Sequence, residues 1–222
     1  MSVKVKICGV RTPAILDAAA EAGADYVGFV FFPKSPRHIE LAEARSLVDR
    51  AKGRVATVAV LVDPDDDLID RAVGLVNPDI LQLHGSESPD RVAAIKARAG
   101  LAVFKAVGVS DAADAASAAL YAKTADMVLF DAKPLPTDIL PGGNGMSFDW
   151  TRLRGLSLEE PFGLSGGLTA DNVAEAIALT GAALVDVSSG VEHVPGEKDA
   201  VLVARFIASA KAAAPHQQAK AS

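Results

Sequence analysis

Apolar runs of strand length alternate with Ala-rich, amphipathic runs of helix length from end to end of this 222-residue chain. Strand-like segments lie over Val3–Gly9, Tyr26–Phe31, Val55–Val62, Ile80–Gly85, Leu101–Val107, Met127–Asp131, Pro161–Leu164 and Leu184–Ser188. Helix starts fall between them. Thr12-Pro13 and Ser88-Pro89 each put a hydroxyl cap before a proline at the first helical position, and Gly23 ends the first helix. Strands that alternate with helices build a parallel sheet with right-handed crossovers. Eight such units in roughly 210 residues are the pattern of a closed (β/α)8 TIM barrel, compact for its class. The alternative, an open doubly wound sheet, asks for a G-x-G-x-x-G turn after the first strand, and Cys8-Gly9-Val10-Arg11 is not one. We expect a single α/β domain over residues 1–212 and a polar, disordered tail at 213–222.

Composition sets the outer limits. Half the residues are apolar and only 5% aromatic, which suits strands covered by helices on one side and packed on the other. A net charge of -6 carries no basic cluster for nucleic acid. One cysteine excludes an internal disulfide. No signal-peptide pattern and no apolar run near 18 residues occurs, so a cytoplasmic protein without membrane contact is expected.

The first strand is unusual because one face is polar. Residues two apart share a face, so Lys4, Lys6 and Cys8 point one way and Val3, Val5 and Ile7 the other. A closed barrel has no edges, and each strand turns one face inward and one onto the helices. The apolar trio suits the helix side, which turns Lys4, Lys6 and Cys8 inward. A buried ammonium needs a counter-charge. Strand eight becomes the neighbour of strand one on closure and carries a single acid, so Lys6 is expected to pair with Asp186.

Active sites of such barrels lie at the C-terminal ends of the strands. Those ends carry Cys8, Phe32, Asp63, Gln82, His84, Lys105, Asp131, Ser165-Gly166-Gly167 and Ser188-Ser189-Gly190. The loops after strands seven and eight frequently bind phosphate in this fold, because glycines let backbone N–H groups approach the oxygens; the plainer alternative for the double glycine is a tight turn. Residues 132–147, with Gly143 and Gly145, form either an active-site lid beside Asp131 or a surface insertion. Arg37 either holds a carboxylate in its guanidinium fork or sits on the surface beside a helix start. His84 is a satisfied polar residue or a ligand, and the spacing of His38, His84 and His193 provides no metal set. A lone cysteine is more often a small buried hydrophobe, and an isolated Asp131 reads as a cap or an ion-pair partner. Spacing alone does not decide between those roles and a proton-transferring pair.

Seven ordered segments over about residues 3–211 settle the direction: VKICG, FVFFPKSPRHI, QLHG, LFDA, GGNGMSFDW, SGGL and DVSSGVE. In these the chain resembles the phosphoribosylanthranilate isomerases of tryptophan biosynthesis. The resemblance implies a cofactor-free and metal-free Amadori rearrangement of N-(5′-phosphoribosyl)anthranilate to 1-(2-carboxyphenylamino)-1-deoxyribulose 5-phosphate. It implies Cys8 as general base, Asp131 as general acid and Arg37 on the anthranilate carboxylate. Gly166, Gly167, Ser188, Ser189 and Gly190 would hold the phosphate, Gly143 and Gly145 would belong to the lid, and Lys6, His84 and Asp186 would support the site. The family often has Thr where Asn144 stands. Its members occur as monomers and homodimers.

The chemistry is consistent with those roles. Ring opening needs a proton on the furanose oxygen, and the iminium so formed acidifies the C2′–H. A thiolate can remove that proton if the site lowers its usual pKa of about 8.5, with Lys6 as a helper that Asp186 would blunt. Three rivals fit less well. The sister isomerisation of histidine biosynthesis usually uses an aspartate where Cys8 stands. A non-catalytic phospholigand barrel has no need of a Cys/Asp pair, and a metal-dependent epimerase would need His/Asp ligand sets.

Overall fold

The computed structural model describes residues 2–133, 149–153 and 161–213. Eight parallel strands close into one barrel in sequential order: β1 (Lys4–Cys8), β2 (Tyr26–Phe31), β3 (Ala56–Leu61), β4 (Ile80–Leu83), β5 (Ala102–Val109), β6 (Met127–Ala132), β7 (Gly163–Leu164) and β8 (Leu184–Val187). Around it lie α1 (Pro13–Glu21), α2 (Leu41–Ala51), α3 (Asp66–Arg71), α4 (Pro89–Ala99), α5 (Ala112–Ser117), α6 (Val173–Thr180) and α7 (Ala200–Ala212). The expected (β/α)8 architecture is the observed one. Strand β5 runs on to Val109, and β7 is shorter than its apolar run suggests. Gly143, Gly145 and the tail beyond residue 213 lie outside the described residues.

Local chemistry starts and stops the helices where the sequence marks them. Thr12 Oγ1 accepts the Ile15 N–H at 3.4 Å, and Ser88 Oγ accepts that of Arg91 at 3.2 Å, each with proline next in the chain. Gly100 and Gly181 adopt left-handed conformations that close α4 and α6.

Alternation along the strands then sorts two cores. Val3, Val5 and Ile7 join the outer layer between sheet and helices, whereas Cys8 packs inside the barrel with Val30, Val58, Val60, Ile80, Phe104, Leu129 and Leu184. Closure pairs β1 with β8 in a register that sets Lys6 beside Asp186. Lys4 departs from expectation. It has inward parity, but it lies exposed and donates to the Tyr26 hydroxyl at 3.2 Å. Of the three polar residues on that face, only Lys6 and Cys8 are enclosed.

A two-stranded hairpin, β9 (Glu192–Val194) and β10 (Glu197–Lys198), stands between β8 and α7. Its turn is Pro195-Gly196, a dipeptide that marks a reversal. Among the described residues, no helix is long and apolar enough to cross a membrane, and no group of three or more His, Cys, Asp or Glu side chains could hold a metal ion.

Candidate active site

The site grows from the inner face of β1. Lys6 is fully buried, and its Nζ donates to Asp186 Oδ1 at 3.0 Å and Oδ2 at 2.9 Å, so the expected ion pair is present. Burial alone would lower the Lys6 pKa, but Asp186 and the Cys8 sulfur outweigh it and raise the value, which keeps the ammonium charged. Residue 28 on β2, in register with Cys8, must be small. A Cβ there would lie 3.1 Å from Lys6 Nζ and 3.2 Å from Cys8 Sγ.

For the Cys8 thiol, whose pKa the sequence leaves open, the site does not supply the lowering that a ready thiolate would need. Burial raises it, Lys6 opposes that rise, and the Asp186 carboxylate adds to it. The lysine that would have favoured a thiolate is neutralised by its own partner. At neutral pH the free site therefore holds a thiol.

On the far side of the barrel, β6 delivers Asp131, which is 5% exposed. Its Oδ1 accepts the Ala132 N–H at 2.8 Å, and its Oδ2 lies 3.0 Å from His84 Nε2. His84 follows β4, and its Nδ1 lies 3.1 Å from the Gln82 Nε2. The loop carrying His84 is held from behind. Lys105 Nζ donates to Gly85 O at 2.8 Å and to Glu87 Oε2 at 2.9 Å, and Glu87 Oε1 accepts the Asp63 N–H at 2.9 Å. Lys105, read from sequence as a rim candidate, thus points outward with Val103 and Val107 and buttresses the loop.

Residues 166 and 167, after β7, have φ of +86° and +64°, open to glycine with little strain. A Cβ on residue 166 would stand 2.8 Å from Asp131 Oδ1. The putting-together of the two loops is direct, since Gly190, in the short turn Ser189–Val191 after β8, packs on the Leu168 carbonyl. Ser188 Oγ donates to Cys8 O at 3.0 Å.

Arg37 is buried rather than on the surface, with its stem across Gly9. Its Nε and Nη2 donate to Glu192 Oε1 and Oε2, both at 2.8 Å. Lys198 Nζ donates to the same Oε1 at 2.8 Å and to Ser188 O at 3.3 Å. Burial lowers the Lys198 pKa against the pull of Glu192. Glu192 and Lys198 were missed as site residues from sequence. The Pro-Gly dipeptide at 195–196 is a turn signal that could have marked a reversal there, but nothing local ties it to a residue 155 positions earlier.

The sequence model described as N-(5′-phosphoribosyl)anthranilate (PRA) isomerase matches residues 5–209. The chain belongs to this isomerase family. An isomerase of that name from Rhodopseudomonas palustris (strain BisB5) is 56% identical over 212 residues, covering 96% of this chain and 97% of its own length. One from Azorhizobium caulinodans is 54% identical over 213 residues, covering 96% and 93%. The crystal structure of phosphoribosyl anthranilate isomerase from Thermotoga maritima superposes with a TM-score of 0.85 at 37% identity, covering 94% of this chain and 98% of that one. A further isomerase structure, in complex with reduced 1-(o-carboxyphenylamino)-1-deoxyribulose 5-phosphate, gives 0.82 at 36% identity, with the same coverage. The isomerase family acts in tryptophan biosynthesis, and this chain is an isomerase of that step. The rival readings as a histidine-pathway sister, a binding barrel or an epimerase give way to this match.

Proposed function

We propose that Cys8 is the general base and Asp131 the general acid of the rearrangement of N-(5′-phosphoribosyl)anthranilate. The observation that carries this reading is their placement: both side chains face inward from the C-terminal ends of β1 and β6, with β7 and β8 between them on the ring. A substrate spanning the barrel mouth would offer its ring oxygen to one group and its C2′–H to the other. Asp131 gives its proton to the furanose oxygen as the C1′–O bond breaks. Cys8, in the fraction of enzyme whose thiol has lost its proton to solvent, then takes the C2′ proton, and the enolamine ketonises to the product.

Around that axis the remaining groups divide the substrate. Gly166, Gly167, Ser188, Ser189 and Gly190 take the phosphate through backbone N–H groups and hydroxyls. Arg37 takes the anthranilate carboxylate on the Nη1 side of its guanidinium, since Glu192 occupies the Nε–Nη2 edge. Lys6, Asp186 and His84 hold the acid and base in place. Every proposed group comes from one chain, so the chemistry makes no demand on oligomeric state. The substrate is a small phosphoribosyl compound, which fits a cytoplasmic enzyme with no membrane or nucleic-acid partner.

The purified protein should consume phosphoribosylanthranilate in the presence of a chelator, read as loss of substrate fluorescence. Arg37→Ala should raise KM about tenfold or more, the worth of a charge-assisted hydrogen bond; unchanged KM would remove the carboxylate role. A raised thiol pKa has a kinetic consequence. Thiolate is gained as pH rises, so kcat/KM should climb through neutrality on a limb with an apparent pKa above about 8.5. A limb below that value would contradict the thiol resting state. Because Lys198 titrates against the same sulfur, the apparent value belongs to the cluster rather than to Cys8 alone.

A further inference from the structure

Gln82 is fully buried on the inner face of β4, and its Oε1 has no hydrogen-bond partner among the described residues. Its side chain reaches one polar neighbour there, His84 Nδ1, 3.1 Å from Nε2. Two orientations of the amide fill the same space. In one, an amide N–H donates to Nδ1 and a carbonyl oxygen is left over. In the other, the oxygen faces Nδ1 and both N–H groups of the NH2 are left without acceptors. Buried N–H groups without partners are rarer and less tolerated than under-satisfied carbonyls, which favours the first orientation, the one observed.

An amide nitrogen only donates, so Nδ1 must accept and carry no proton. His84 is then the neutral tautomer with its proton on Nε2, and that N–H donates to Asp131 Oδ2 at 3.0 Å. We propose that Gln82 is a positioning residue that holds His84 in this tautomer, making the imidazole a fixed donor to Asp131 and never a base toward it. The consequence for the reaction is directional. His84 cannot draw off the proton that Asp131 must deliver, and its N–H stabilises the carboxylate left once that proton has gone to the ring oxygen. No proton enters or leaves His84 in the cycle.

The inference rests on the reading of Asp131 as the general acid. Nitrogen-15 spectra of histidine-labelled protein at pH 7, with the His84 signals assigned by their loss in His84→Asn, should show a protonated Nε2 and a bare Nδ1. Gln82→Glu replaces the donor by an acceptor. It should place a second proton on His84 at Nδ1 and lower kcat about 10- to 100-fold with KM little changed, a share of what general acid catalysis supplies. In a His84→Asn background the same substitution should change kcat by less than about twofold, because its effect passes through the imidazole.

A wild-type Nδ1 that carries the proton overturns the proposal, and so does a folded Gln82→Glu variant whose kcat stays within about twofold of wild type. If Gln82→Glu does not fold, the wild-type spectrum decides alone. Failure of the underlying reading is a separate event: Asp131→Asn would stay active whatever tautomer His84 adopts.

Discussion

Replacing Asp131 by Asn is expected to lower kcat by about 10²–10⁴-fold, the usual worth of a positioned general acid. Asparagine keeps the size of the side chain and an oxygen that can accept the His84 N–H, at the loss of the acceptor that the Ala132 N–H uses. What it lacks is a proton to give the furanose oxygen. The loss corresponds to about 2.7–5.4 kcal/mol of barrier. It should fall on kcat if Arg37 and the glycine loops after β7 and β8 have the proposed roles, since both would still be there to hold the two ends of the substrate. Cys8→Ala should lose a similar factor at the other proton transfer. Steady-state kinetics on both variants, with near-ultraviolet circular dichroism to verify packing, checks the assignment. Full activity in either variant removes that residue from the chemistry.

The second large effect is on stability. Lys6→Met should destabilise the fold by about 3–5 kcal/mol at pH 7, because it leaves the Asp186 carboxylate buried without its cation. Methionine matches the lysine stem in length, so lost packing contributes little. The pH dependence identifies the cause. In the variant, the unpaired carboxylate has a folded-state pKa raised above its unfolded value of about 3.9. Its stability is therefore fullest below that value and declines as pH rises through the folded value. The deficit against wild type should shrink on moving from pH 7 toward pH 4. Adding Asp186→Leu should recover much of the loss, since two apolar side chains replace a buried pair at little net cost. Unfolding free energies of the three proteins from urea titration test this, and a Lys6→Met value within about 1 kcal/mol of wild type would show that the pair is not enclosed as described.

Much of this was legible along the chain. Strand parity placed Lys6 and Cys8 inside and Val3, Val5 and Ile7 outside, since the period of two is a local property of the backbone. Closure makes β8 the neighbour of β1, and the single acid on β8 then singles out Asp186. Cys8 and Asp131 were readable as strand-end residues for the same reason. Gln82 and His84, two apart at one strand end, were readable as rim candidates, although not as a hydrogen-bonded pair.

Other features needed the folded chain. Lys105 ends an apolar run as plausibly as Gln82 does, yet β5 turns Phe104 inward and leaves Lys105 behind the sheet. The grip of Glu192 on Arg37 joins the hairpin after β8 to the loop after β2, and no periodicity connects them. Nor could sequence settle the thiol of Cys8, where burial wins over Lys6 because Asp186 neutralises the lysine.

The sequence by itself thus determined the eight-unit barrel, the inward face of β1, the Lys6–Asp186 pair and the family. The first three follow from short-range periodicity and strand order, and the family from the resemblance carried by seven ordered segments. Only the tertiary structure decided the partner of Arg37, the outward turn of Lys105, the His84–Asp131 contact and the direction of the Cys8 shift. Each of these depends on which charges approach within a few ångströms through low-dielectric protein, and that distance is set by the closed chain rather than by any segment of it.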